Sequence, residues 1–277
     1  MKRRLKGWMW LAPAVIVLLA ITGWPIGRAI WLSLSSYSLT TPESRTFIGL
    51  DNYADVLTNR TWWLAIATSL VIVVALVSVQ LVLGFAFALA LRRMTLLWPV
   101  TRIIVLLPLA LMAVVSAVMW RDAATTGFIA DWFRLDDVGQ LDQLAAVSVG
   151  EVWRGTGIVA VILLAGLTQV SSRLYAAAIA DGATGWQRLR RVILPVMGPA
   201  LAIAATFRAL EAFRAVEGPL LVDQPGARVR TAPQLVWDTT FSSFELGLGA
   251  AMSIVLLVVA GLLGVLLVQL FRVRRVV

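Results

Sequence analysis

The sequence predicts an all-α integral membrane protein of six spanning helices with both ends of the chain in the cytoplasm. Three observations predict it. Residues 7–27, 62–91, 103–120 and 246–271 carry no charge, and about 18–20 apolar helical residues suffice to cross the hydrocarbon core of a bilayer. Residues 144–170 and 192–222 are long enough too, although they contain charges. The composition agrees, with 60% apolar and 14% charged residues, against about half and about a quarter in soluble domains.

The third observation is the placement of charge. Arginine and lysine gather in the cytoplasmic loops of membrane proteins. The N-terminal tail (Lys2, Arg3, Arg4, Lys6), the second connection (Arg92, Arg93, Arg102), the fourth (Arg173, Arg188, Arg190, Arg191) and the C-terminal tail (Arg272, Arg274, Arg275) hold 14 positives against one acid, Asp181. The other three connections, counting Arg28 and Arg121 at their edges, hold seven positives and 11 acids. The net charge of +9 is therefore a topology signal with the lipid bilayer as its partner, and no nucleic acid is expected.

The first span covers residues 8–30. Its basic-then-apolar order resembles a secretory signal, but the apolar part is too long and no small-residue cleavage motif follows, so it reads as retained. In the external segment after it, FIGLDNYADVL (Phe47–Leu57) mixes apolar anchors with Gly49 and reads as a short surface helix. The second span, residues 62–91, exceeds the bilayer core and must tilt or protrude. Pro99 and Pro108 bracket the start of the third, residues 102–121, and Pro108 is expected to kink it. An acidic external loop with Trp132 and Phe133 leads to the fourth span, 146–170. The fifth covers 194–222 and the sixth 247–271. With no repeat visible, residues 1–277 read as a single membrane domain.

Histidine and cysteine are both absent, so no disulfide, thiolate nucleophile or Cys/His metal site is available. Lys2 and Lys6 are the only lysines, and nothing supplies the Gly-rich turn ending in Lys-Ser/Thr that a phosphate-binding loop needs. No catalytic residue and no metal ligand set is identified.

Residues 171–195 form a cytoplasmic connection of unusual character. A helix over Val170–Ala180 stops at Asp181-Gly182, where glycine takes the left-handed conformation of a helix end. Thr184 or Gly185 then caps a second helix that starts at Trp186 and runs through Arg188, Arg190 and Arg191 toward Pro195. From these residues alone, a hairpin lying among lipid headgroups fits equally well.

The order of residues adds to this. Leu174, Tyr175, Ala177, Ala178, Asp181, Gly182, Ala183, Trp186 and Gln187, followed by Leu194, Pro195 and Pro199, resemble the cytoplasmic signature of binding-protein-dependent ABC importer permeases. The early Leu-Ala-Pro-Ala (Leu11–Ala14), Pro25, FIGLDNY, Glu151–Trp153 and GLGAAMS (Gly247–Ser253) resemble the sugar branch of that family, closest to maltose and trehalose importers. The resemblance implies a type I importer permease fold in a bacterial inner membrane. It also implies that the loop is a coupling helix docking on an ATPase subunit present in two copies, with ATP and Mg bound there and no cofactor on this chain. A second related permease, an extracytoplasmic solute-binding protein and a sugar substrate complete the expected partners. This chain departs from the family at Ala176, usually Glu, and at Ser171, usually Pro.

Charges inside the spans leave two roles open. Arg208, Glu211, Arg214 and Glu217 recur every three residues, and residues three apart on a helix are neighbours. The pairs either neutralise each other or, as the resemblance implies, line the sugar pathway together with Phe213, Glu151 and Trp153. Glu151 and Arg154 pose the same choice, and Trp153 also suits the membrane interface. Gln80 is an isolated polar residue of the kind that bonds helix to helix. Two other classes remain in view: a stand-alone ion- or proton-coupled transporter using the fifth-span charges, and a membrane enzyme or scaffold, for which the acids show no paired pattern.

Overall fold

The computed structural model describes residues 13, 15–93, 98–127, 139–216 and 230–271. Among them, four helices are long and apolar enough to cross a membrane, and six spans result if each of two bent helix pairs counts as one. The chain forms two compact units, Met1–Leu64 with Leu235–Val258, and Ala65–Gln234 with Val259–Val277.

In the first unit, helix α1 (Val15–Ser33) buries none of its apolar stretch inside the chain, which leaves that surface for lipid or another subunit. Pro25 cannot donate to the carbonyl of Ile21, and the helix widens into a π turn over Leu19–Gly23 just before it. The FIGLDNY stretch then does two jobs. Thr46–Phe47 (β2) pairs antiparallel with Ser35–Ser36 (β1), and Gly49 turns the chain with φ +64° into helix α2 (Asp51–Thr58). The surface helix thus starts at Asp51, not at Phe47. Its buried Asn52 donates to the carbonyls of Ser33 (2.8 Å) and Ser35 (3.1 Å), and Tyr53 shares a 2.7 Å hydrogen bond with Ser33. The two Asn52 bonds satisfy backbone carbonyls freed where α1 ends.

The second unit contains most of helix α3 (Arg60–Arg93), whose 34 residues span about 51 Å at 1.5 Å per residue, well beyond the bilayer core. The third span is broken, not merely kinked. Helix α4 (Trp98–Leu106) tightens into a 3₁₀ turn at Leu107–Ala110 and meets α5 (Ala113–Thr125) at 95°. Pro108 withholds a backbone donor, and Leu111 and Met112 are extended, with ψ of 140° and 142°. Helix α6 (Gln140–Thr168) begins earlier than the 146–170 expected. The fifth span bends by 71° between Gly185–Val196 (α8) and Gly198–Arg214 (α9), so residues 194–196 belong to the hairpin arm and Met197 is the corner. Residues 217–222, including Glu217, lie outside the described residues, as do Trp132 and Phe133. Helices α10 (Ala232–Trp237) and α11 (Leu246–Leu270) follow.

The core of this unit is built where α3, α6 and the bend meet. Ala88, Leu91, Val159, Leu163, Leu167, Ile193, Met197 and Ala204 are all buried and form one cluster. Met197 at the bend is fully buried, so the corner that joins the hairpin to α9 is seated in packed side chains. Burying a side chain of this size is worth about 1.5–3 kcal/mol in water, and in lipid the packing contacts themselves hold such helices together.

Candidate functional site

Two constellations stand out, one just beyond the C-terminal end of α6 and one near its middle. The first is the hairpin. Helix α7 (Ser172–Ala180) starts at Ser171, whose hydroxyl accepts from the Arg173 N–H at 3.2 Å. The serine side chain thus supplies the cap of this helix. Gly182 has φ +74°, with its N–H bonded to the Ile179 carbonyl (2.9 Å) and the Ala183 N–H to that of Ala178 (3.0 Å). That is the Schellman arrangement, which needs a left-handed residue at this point. Thr184 and Gln187 then cap each other reciprocally, at 3.3 and 2.8 Å, so α8 starts at Gly185 with Thr184 as its cap. The Arg188 guanidinium lies 5.0 Å over the Tyr175 ring, an arrangement that ties the two arms together.

The hairpin shows apolar side chains to solvent. Leu174, Tyr175, Ile179 and Trp186 are 51%, 37%, 51% and 67% exposed. Ala177, Asp181 and Gly182 are exposed too, Ala183, Leu194 and Pro195 are half-buried, and Ala178 is buried. Ile179 escaped the sequence analysis. Its signal was present, since it stands four residues after Tyr175 and so shares its face.

The second constellation is a closed ring of charge between α6 and α9. Glu151 accepts from Arg154 (2.9 and 3.0 Å) and from Arg208 (2.6 Å). Glu211 accepts from Arg154 (3.1 Å) and from Arg208. Each arginine therefore holds both carboxylates. Gln80 on α3 closes the back of the ring, accepting from Arg208 Nε (3.0 Å) and donating to the Glu151 backbone carbonyl (2.9 Å). Uncompensated, each charge would cost about 2.5–3.5 kcal/mol at mid-bilayer on insertion scales. Two guanidiniums and two carboxylates in alternation remove most of that cost.

Side-chain exposure falls from 27% at Glu211 and 17% at Glu151 to 10% at Arg154 and 0% at Arg208. The exposed side faces a cavity of about 380 Å³, within the roughly 300–1,000 Å³ usual for small-molecule sites. Glu151, Arg154, Glu211, Arg214, Phe213 and the serines Ser69, Ser116 and Ser148 are among its lining residues. The Ser116 hydroxyl is buried and has no hydrogen-bond partner among the described residues. Arg214 is exposed and makes no ion pair among them. Phe213 is 1% exposed and acts as a wall. Trp153 is not part of the cavity lining and packs instead on Trp120, with ring centroids 6.1 Å apart. The helical spacing of Arg208 and Glu211 foretold one of the four ion pairs, and that of Glu151 and Arg154 a second. The two pairs between helices had no signal within either segment.

An all-helical membrane domain with a capped cytoplasmic-type hairpin and a polar cavity between its spans is the architecture of a permease. Residues 80–276 match the family model of the binding-protein-dependent transport system inner membrane component, and the chain belongs to that family. The trehalose transport system permease protein SugA of Mycobacterium tuberculosis is 36% identical, covering 98% of this chain and 90% of that protein. The trehalose/maltose transport system permease protein MalF of Thermococcus litoralis is 28% identical, covering 97% and 94%. In fold, a chain from a bacterial ABC transporter involved in alginate import superposes with a TM-score of 0.77 at 19% identity, covering 99% of this chain and 97% of that one. The protein is accordingly a multi-pass inner-membrane permease subunit of an ABC importer.

Proposed function

We propose that this chain forms half of the translocation pathway for a neutral sugar of disaccharide size, driven by an ATPase that docks on the 171–195 hairpin. The observation that carries the docking is the exposure of Leu174, Tyr175, Ile179 and Trp186 on a hairpin whose turn is locked by Gly182. Such a surface marks a protein or membrane partner, and the family match over residues 80–276 favours the protein. The chain itself is non-catalytic. Without a phosphate-binding loop, ATP and Mg belong to the partner, which supplies two copies for the two permease halves. Ala176, where the family resemblance implies glutamate, leaves docking to shape and apolar burial, which favours a different second permease with the stronger polar contact.

The sugar class is supported by the names of the relatives, trehalose for SugA and trehalose/maltose for MalF. Chemistry on the cavity wall agrees: outward lone pairs of Glu151 and Glu211 accept from hydroxyl groups, while the exposed Arg214 donates. An extracytoplasmic binding protein delivers the sugar.

The test is to tag the chain, extract it gently and identify what purifies with it, then reconstitute the complex in vesicles. An ATPase and a second permease are expected, with trehalose uptake that requires ATP and the binding protein. A chain that purifies alone and moves trehalose on a proton or sodium gradient would replace this reading with secondary transport.

A further inference from the structure

The ring of charge is more than a neutralised set of pairs, and the residues behind it say why. Arg208 is fully buried and does not line the cavity. Its guanidinium occupies a notch in α6 made by Gly155, where a Cβ would overlap the guanidinium and come within 2.5 Å of Gln80 Nε2. Gln80 is itself fully buried. Three spans therefore contribute to one seat: α3 through Gln80, α6 through Glu151, Arg154 and Gly155, and α9 through Arg208 and Glu211. The two helices that the ring joins are the two that enter and leave the hairpin, since α6 leads into Ser171 and α9 leaves the bend at Met197.

We infer that the ring is a pin, seated by Gly155 and Gln80, that makes α6 and α9 move as one body when the hairpin is displaced. A buried, fully paired ionic cluster has one good geometry. On the sealed side of the ring, where Arg208 is 0% exposed, splaying of the two helices opens ion pairs away from water, and the lost partners are not replaced by solvent. Without the pin, force arriving at the hairpin would be absorbed by sliding of one flanking span past the other. Gly155 and Gln80 are positioning residues here, because neither lines the cavity. The inference rests on the docking reading only for where the force enters.

The chain contains no cysteine, so spin labels can be placed at will. Val149 on α6 and Phe207 on α9 are each 50% exposed and suit a labelled pair, Val149→Cys with Phe207→Cys, in the complex assembled with cysteine-free partner subunits. Pulsed electron–electron distance measurements would be made without nucleotide and with the ATPase trapped by vanadate. The pin predicts one narrow distance that is the same in both states. Adding Gly155→Ala is expected to broaden the distribution and to lower sugar moved per ATP hydrolysed by about tenfold, within the range for substitutions along a coupling element. If that variant does not assemble, Gln80→Leu, which removes one acceptor and one donor without adding bulk at the notch, carries the same expectation. A distance that changes with nucleotide in the unmodified chain overturns the pin, and so does an unchanged narrow distance in either variant. Failure of docking has another signature, since ATP hydrolysis would then be absent or indifferent to this subunit while the labelled distance stayed narrow.

Discussion

Gly182 carries more of the hairpin than any other residue. Its φ of +74° and open surroundings mean that a larger side chain would meet no atom and would still be strained, because an L-residue held there loses about 1–2 kcal/mol, and a β-branched one more. Gly182→Val is therefore expected to leave the chain inserted and the complex assembled while distorting the turn that presents Leu174 and Tyr175. ATP hydrolysis should persist and uptake should fall by about tenfold or more, the equivalent of roughly 1.4 kcal/mol. Uptake at the unmodified rate would show that the turn geometry is not used in coupling. This glycine was legible in the sequence because its requirement is local: an Asp-Gly step between two helical runs has few backbone solutions. Ser171 was legible only as a departure from a pattern. Its capping bond to Arg173 explains how the helix start survives without proline.

Between helices the sequence said less. Three-residue spacing in α9 suggests that Arg208 and Glu211 are a self-sufficient pair, so exchanging the two, Arg208→Glu with Glu211→Arg, would be expected to be harmless. The ring reverses that expectation. The exchange sets the new glutamate at 208 against Glu151 and the new arginine at 211 against Arg154, turning two attractions into repulsions across α6 and α9. Breaking buried pairs in this way costs about 3–5 kcal/mol, and the doubly exchanged chain should lose tens of per cent of its folded yield or several degrees of thermal midpoint in detergent. Exchanging all four, with Glu151→Arg and Arg154→Glu added, restores the alternation and should recover most of that loss. Equal stability of the two exchanged chains would mean that the cross-helix bonds contribute nothing. What hid the ring is separation along the chain: 57 residues part Arg208 from Glu151 and 128 part it from Gln80, and periodicity within one segment carries no information about which face of another it meets. The same limit applies to the third span, where Pro108 announced a bend but not a 95° break. It applies to the fifth as well, where Pro195 and Pro199 gave no hint that Met197 would be the corner.

Across the whole chain the strongest signal is also the simplest. Six apolar blocks predict the number of candidate spans, and 14 positives against one acid in the two tails and alternate connections predict which of them face the cytoplasm. That assignment decides whether the 171–195 hairpin can meet an ATPase at all, so it is worth testing directly. The cysteine-free background makes each introduced thiol a unique reporter. Ser172→Cys at the start of the hairpin and Thr41→Cys in the connection after α1 both lie at exposed positions. With a membrane-impermeant thiol reagent added to intact cells, Thr41→Cys should react within minutes and Ser172→Cys should stay unlabelled until the membrane is opened, when its rate should rise by about tenfold or more. The charge argument gives this prediction its sign: juxtamembrane arginines gain about 1 kcal/mol each at the anionic cytoplasmic leaflet, and Arg173, Arg188, Arg190 and Arg191 together would resist transfer to the other side. Reaction of Ser172→Cys in intact cells would place the hairpin outside, remove the ATPase from its reach, and leave the cavity between α6 and α9 to be driven by a gradient.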